Sequence, residues 1–75
     1  MKVTYDPETD TLTIRFNDSP ITESDEIQEG IIADMDVKGR IIGLEILAAS
    51  ELVAEPQNII FESGGRAVAG VASSA

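Results

Sequence analysis

Ile31-Ile32-Ala33-Asp34-Met35-Asp36-Val37-Lys38-Gly39-Arg40-Ile41-Ile42-Gly43-Leu44-Glu45-Ile46-Leu47 holds two apolar-rich runs on either side of Lys38-Gly39. A two-residue loop with Gly second suits the primed turns that match strand twist, so the stretch reads as a β-hairpin. With Val37 opposite Arg40, Met35 faces Ile42, Ala33 faces Leu44 and Ile31 faces Ile46, all on one side. The other side receives Ile32 against Glu45, Asp34 against Gly43 and Asp36 against Ile41, with Leu47 beyond. One face is a core; the second is mixed and too apolar to be purely solvated.

Upstream, Lys2-Val3-Thr4-Tyr5-Asp6 and Thr11-Leu12-Thr13-Ile14-Arg15-Phe16 alternate apolar and polar residues, the signature of half-buried strands. Asp6-Pro7-Glu8-Thr9-Asp10 between them is turn chemistry and makes a second hairpin. Residues 17–30 hold Pro20, Gly30 and five acids, and read as an exposed connection anchored by Ile21 and Ile27, with room for a short strand near 21–28. Downstream, residues 48–55 favour a short helix, capped by Ser50 and stopped by Pro56. Asn58-Ile59-Ile60-Phe61-Glu62 fits either a fifth strand or an apolar strap, and the Gly, Ala and Ser of residues 63–75 read as a disordered tail.

The fold expected is α+β and mostly β: a small antiparallel sheet of two hairpins, about four strands with a possible fifth, and one short C-terminal helix. Its core would be Val3, Tyr5, Leu12, Ile14, Phe16, Ile31, Ala33, Met35, Ile42, Leu44 and Ile46, partly covered by the segment near Leu52 and Val53. The 75 residues make one domain, residues 1–62, followed by the tail. At this length the hydrophobic gain barely exceeds the ordering cost.

Composition removes most chemistry. With no Cys and no His there are no disulfides, thiolate zinc sites, imidazole bases or Ser-His-Asp triads. We expect no enzyme activity and no cofactor. Ten acids and two bases lie in residues 1–36, against four acids and three bases in residues 37–75. Such a surface repels phosphate backbones and anionic membranes, so nucleic-acid and membrane binding are not expected, whereas a basic protein partner suits it. The competing reading is negative charge that only keeps a small domain soluble. No charged-then-apolar leader and no run of membrane-spanning length is present, which predicts a cytoplasmic protein.

Two carboxylate groups merit weighing. Asp6-x-Glu8-x-Asp10 spaces its acids like a calcium loop, but it lacks the Gly and final Glu of one and contains Pro7, so turn chemistry accounts for it. Asp34, Asp36 and Glu45 are the candidate ligands or acid/base pair of the alternative function, a carboxylate-based divalent-metal-binding or hydrolytic protein, set against the blander expectation of solvated strand charges. Gly64-Gly65-Arg66 matches no phosphate loop and reads as linker. The interaction residues expected are Ile32, Ile41 and Leu47 on the second sheet face and Ile59 and Phe61 in the apolar run, two surfaces that one small sheet and one helix leave uncovered and either of which predicts a symmetric homodimer.

Taken together, Lys2-Val3-Thr4-Tyr5-Asp6, Asp10-Thr11-Leu12-Thr13-Ile14, Gly30-Ile31-Ile32, Asp34-x-Asp36 and Gly39 to Leu47, followed by Ala49-Ser50, form an order of motifs over roughly residues 2–52. That order resembles the YuzE-like family of small prokaryotic proteins of unknown function. The resemblance implies a β-rich domain of about four strands ending in a helix, with no established enzymatic activity. It further implies an antitoxin-like role for some members, which neighbour small toxin-like proteins resembling ribonucleases. The pattern is left behind after Glu51, where Pro56, Ile59-Ile60-Phe61 and a small-residue tail replace the family's charged helical ending.

Overall fold

A computed structural model describes residues 1–64 of the chain. Five strands, β1 (Lys2–Asp6), β2 (Thr11–Arg15), β3 (Glu23–Gln28), β4 (Ile31–Met35) and β5 (Ile41–Ile46), precede one short helix, α1 (Ala49–Leu52). The strands form a single sheet in the order β1-β2-β5-β4-β3, every neighbouring pair antiparallel. The central strand β5 thus joins the β1–β2 hairpin to the β3–β4 hairpin, and β1 and β3 are the two edges.

Because partners in adjacent strands share a face, the register reads as rows across all five strands. Val3-Ile14-Leu44-Ala33-Asp25 and Tyr5-Leu12-Ile46-Ile31-Gln28 are the rows of an apolar face. Lys2-Arg15-Gly43-Asp34-Ser24 and Thr4-Thr13-Glu45-Ile32-Glu26 are the rows of a polar face. The alternation read from the sequence therefore holds for Ile31 opposite Ile46, Ala33 opposite Leu44, Ile32 opposite Glu45 and Asp34 opposite Gly43.

It fails at the β4–β5 turn. Asp36, not Val37, pairs with Arg40, the Asp36 N–H donating to the Arg40 carbonyl at 3.0 Å, so the loop is the three residues Val37-Lys38-Gly39. Gly39 sits at φ +78°, a conformation that L side chains rarely adopt, and its N–H bonds the Asp36 carbonyl at 2.9 Å. Met35 then pairs with Ile41 instead of Ile42, a one-residue shift next to Asp34. Val37 is left 82% exposed in the loop.

The short strand suggested near 21–28 is β3, and it supplies the fifth strand; residues 58–62 form none. The helix is shorter than expected, and Ser50 does not cap it. Ala48, in a left-handed conformation, occupies the N-cap with no side-chain bond. Instead the first helical N–H groups are met from the β1–β2 turn: the Asp10 carbonyl accepts Ala49 N–H at 2.8 Å, and its carboxylate accepts Ser50 N–H at 3.0 Å and Ser50 Oγ at 2.7 Å. Tyr5 Oη donates to the same carboxylate at 2.6 Å. Asp6 performs the expected turn role, accepting Glu8 N–H at 3.0 Å.

The core is thinner than the alternation implies. Leu12, Ala33, Ile42 and Ala49 are its buried apolar residues. Tyr5, Ile14, Ile31, Met35, Leu44 and Ile46 are half-buried, and Val3 and Phe16, expected inside, are exposed. Of the segment expected over the apolar face, Leu52, at 60% exposure, lies at the end of the sheet with Gly30 and Leu47, whereas Val53 is half-buried and Pro56 buried. The segment that follows runs past β1, where Pro56, Gln57 and Ile59 share a cleft with Val3, Tyr5 and Pro7. The tail expected from Ser63 onward lies outside the described residues after Gly64, as do Gly65 and Arg66.

With so few buried side chains, each carries much of the total. Leu12→Ala is expected to cost about 2–5 kcal/mol, out of about 4–11 kcal/mol for a chain of this length. A Cβ at Gly43 would stand 2.9 Å from the Ile14 carbonyl oxygen and 3.2 Å from Arg15 Cδ. Gly43→Ala is therefore expected to lose about 1–3 kcal/mol by overpacking, despite being a strand-favouring change elsewhere. Urea unfolding of both variants reads these values; an unchanged midpoint for Gly43→Ala would refute the close approach.

Candidate functional site

The polar face concentrates charge on its inner strands. Asp34, 1% exposed, is the most deeply buried large side chain of the described residues, and Asp36 is 6% exposed. Both depart from the expectation of solvated strand charges. Three neighbours in the same row bury Asp34: Ser24 on β3, whose Oγ donates to Asp34 Oδ1 at 2.6 Å, Gly43 on β5, and the Arg15 stem beyond it on β2. Since Gly43 has no side chain, the Asp34 carboxylate and the Arg15 methylenes close over the β5 backbone. The Arg15 guanidinium is spent on the Asn17 and Ser19 carbonyls, at 3.0 and 2.8 Å from Nη2.

Glu45, one row along, is half-buried and reaches Asp34. Its carboxyl is raised above the usual glutamate value, first by hydrogen bonding to Asp34, then by burial, then by the Asp34 charge. Asp36 does not join them. Its carboxylate turns into the Val37–Gly39 loop, where Oδ1 accepts Lys38 and Arg40 N–H at 2.9 Å each and Oδ2 meets Arg40 Nε at 3.0 Å. The Arg40 N–H is the largest influence holding Asp36 below the ordinary aspartate value, partial burial opposes it, and the guanidinium adds to it. Since the Arg40 side chain is 68% exposed, the ion pair itself adds little to stability. Asp36 is a loop clamp.

Of the three carboxylates singled out as candidate ligands, the fold thus brings Asp34 and Glu45 together and commits Asp36 elsewhere. Among the described residues no group of three or more His, Cys, Asp or Glu side chains is placed to hold a metal ion. Ser24, Gly43 and Arg15, which complete the Asp34 environment, were not expected there. A glycine between apolar strand residues was the available signal, because such a gap marks a close approach.

The residues of the two expected interaction surfaces lie at separate places. Ile41, 46% exposed, lies at the loop end of β5; Leu47, 42% exposed, lies at the opposite end beside Gly30 and Leu52. Ile59 lines the cleft beside β1, Ile59 and Phe61 are each 50% exposed, and Ile32 is half-buried on the polar face. The continuous surface is instead β3, in which every residue from Glu23 to Gln28 is exposed. It carries Glu23, Asp25 and Glu26, with Glu29 in the turn that follows. No helix among the described residues is long and apolar enough to cross a membrane.

Residues 2–50 match the family model described as a protein of unknown function, DUF2283. The chain belongs to that family. The match takes in all five strands and the Asp10–Ser50 contact, and stops before the segment that runs past β1. No curated protein and no solved structure matches the chain.

The raised Glu45 carboxyl carries a pH signature. Its contribution to stability is complete below the unfolded value near 4.5 and is lost as pH rises through the raised folded value. Glu45→Gln keeps a donor toward Asp34 and removes the repulsion, so its melting temperature is expected to exceed that of the parent at pH 7 and to converge with it below pH 4.5. Asp36→Asn should show the opposite: Asp36 contributes above pH 3.8 and loses that contribution as pH falls through its lowered value, so this variant is less stable at neutrality. Thermal melts from pH 3 to 8 check both.

Proposed function

We propose that this chain is a non-catalytic, acidic interaction protein that binds a small basic protein along the β3 edge. The observation that carries the reading is that β3 is an edge strand, exposed at every residue, and the most acidic element of the fold. An edge offers unpaired backbone groups to an added strand, while Glu23, Asp25 and Glu26 select a partner of positive charge. The register irregularity between Glu26 and Gln28 confines such pairing to Glu23–Glu26. The YuzE-like resemblance supports an antitoxin-like form of this role, neutralising a basic toxin-like protein. The Asp34 carboxylate already has a structural use, packed against Gly43 and accepting the Ser24 hydroxyl, which supports the non-catalytic reading.

Electrostatic attraction of this kind speeds association and is weakened by salt. Tagged protein exposed to native lysate at low salt is expected to recover a basic protein. Raising the salt should reduce the yield, and Glu23→Gln/Asp25→Asn/Glu26→Gln should abolish it. Recovery that is equal with this triple variant, or no recovery at either salt, would overturn the reading.

A further inference from the structure

The second edge of the sheet has a different chemistry. β1 reads Lys2-Val3-Thr4-Tyr5-Asp6 and pairs with β2 over all five residues without a register shift. Among the described residues no backbone hydrogen bond reaches its outer side, since the segment beside it, through Pro56 and Ile59, makes none to β1. Its pattern is symmetric about Thr4. Two antiparallel copies centred there set Lys2 opposite the second copy's Asp6 and Val3 opposite its Tyr5, with the two Thr4 residues facing each other. Opposite charges, β-branched against aromatic side chains and paired threonines are the cross-strand combinations that stabilise a sheet.

We infer that β1 is a docking edge for a second copy of this chain, the two sheets joining edge to edge into one ten-stranded sheet about a two-fold axis through Thr4. Charge complementarity selects this occupant. Asp6 uses Oδ1 on Glu8 N–H at 3.0 Å and keeps Oδ2 for the second copy's Lys2; Lys2 has no salt bridge among the described residues. The same test excludes β3 as a self-pairing edge. Antiparallel copies of Glu23–Gln28 would oppose Asp25 with Glu26, and the irregularity at Ile27 would break the ladder. Joining at β1 also continues the apolar rows: Val3, exposed in one copy, and half-buried Tyr5 meet their counterparts across the axis. Exposed Ile59, beside Val3 and Tyr5, comes to lie against that seam.

The surface is distinct from β3, and joining the β1 edges leaves a β3 edge free at each end of the assembly. Charge exchange tests it without depending on any one variant. The parent mass should rise from 8.0 kDa toward twice that value with concentration in light scattering or sedimentation. Lys2→Glu and Asp6→Lys each set like charges across both symmetric contacts, so each alone should weaken self-association roughly tenfold. Mixing the two variants should restore association as a heterodimer, because Glu at 2 then faces Lys at 6 and Asp6 faces Lys2. A constant 8.0 kDa at all concentrations overturns the proposal, and so does self-association that neither variant changes or that mixing does not recover. Since the chain has no cysteine, Thr4→Cys gives a second readout. Oxidation should yield a disulfide-linked dimer through position 4 and none through Ser24→Cys; the reverse result also overturns it.

Discussion

The Asp10 carboxylate fastens the short helix that follows the last strand to the first hairpin. It takes Tyr5 Oη at 2.6 Å from the hairpin in whose turn it lies, and the Ser50 N–H and hydroxyl from forty residues downstream. To do so Asp10 holds φ at 56°, a strained value that short polar side chains tolerate best. A four-residue helix cannot maintain itself, because nucleation costs more than one turn returns. α1 exists because its leading N–H groups find acceptors on Asp10, an acidic side chain at the helix end where negative charge is favourable. The position of everything after β5 follows. Ala49 is fully buried, the chain leaves α1 on the β1 side of the sheet, and Pro56 and Ile59 come to rest by Val3 and Tyr5.

A single-layer sheet with so short a covering segment must close its two faces by different means. On the apolar face, closure is incomplete, and most of the rows through Ile14, Leu44 and Ile46 stay half-buried. On the polar face, closure is achieved by side chains of the sheet itself. The Arg15 stem lies over Gly43, Ser24 Oγ reaches in from β3, and Asp34 is sealed between them with its hydrogen bond satisfied. A buried carboxylate is tolerable on those terms, since the cost of an ion out of water is met only by hydrogen bonds aimed at it.

Strand alternation carried most of the architecture at the sequence level. Val3/Tyr5, Leu12/Ile14, Ile31/Ala33 and Leu44/Ile46 defined one face, since a period of two leaves no freedom in assigning sides, and Ile31 opposite Ile46 and Ala33 opposite Leu44 were the correct partners in the second hairpin. What alternation could not show was the place of β2 beside β5, and the loop. Val37 continues the apolar pattern and belongs by that rule to the strand, yet the Asp36 carboxylate, bonding Lys38 and Arg40 N–H, closes the hairpin one residue earlier and turns Val37 outward. β3 was faint for a related reason: an edge strand exposed on both faces needs no apolar alternation, and Glu23-Ser24-Asp25-Glu26 has none. The carboxylates at 34, 36 and 45 were visible as candidates but not as a pair and a clamp. Their separation depends on the local shift that sends Met35 to Ile41, which is a property of the turn and not of the strand pattern.

The two edges of the sheet differ in the one quantity that governs strand addition. An edge can accept another strand only if the charges that come opposite each other do not repel, because the backbone groups of all edges are alike. β3 carries three acids and no base among its six residues, so in the proposed role it discriminates by sign, favouring a basic chain over its own copy. β1 places one cation and one anion at equal distances from Thr4, which makes a copy of itself a matching occupant. Reversing the sign of either Lys2 or Asp6 would make β1 resemble β3 in rejecting its own copy while leaving the backbone edge intact, so the charge pattern, and not the edge, separates the two surfaces.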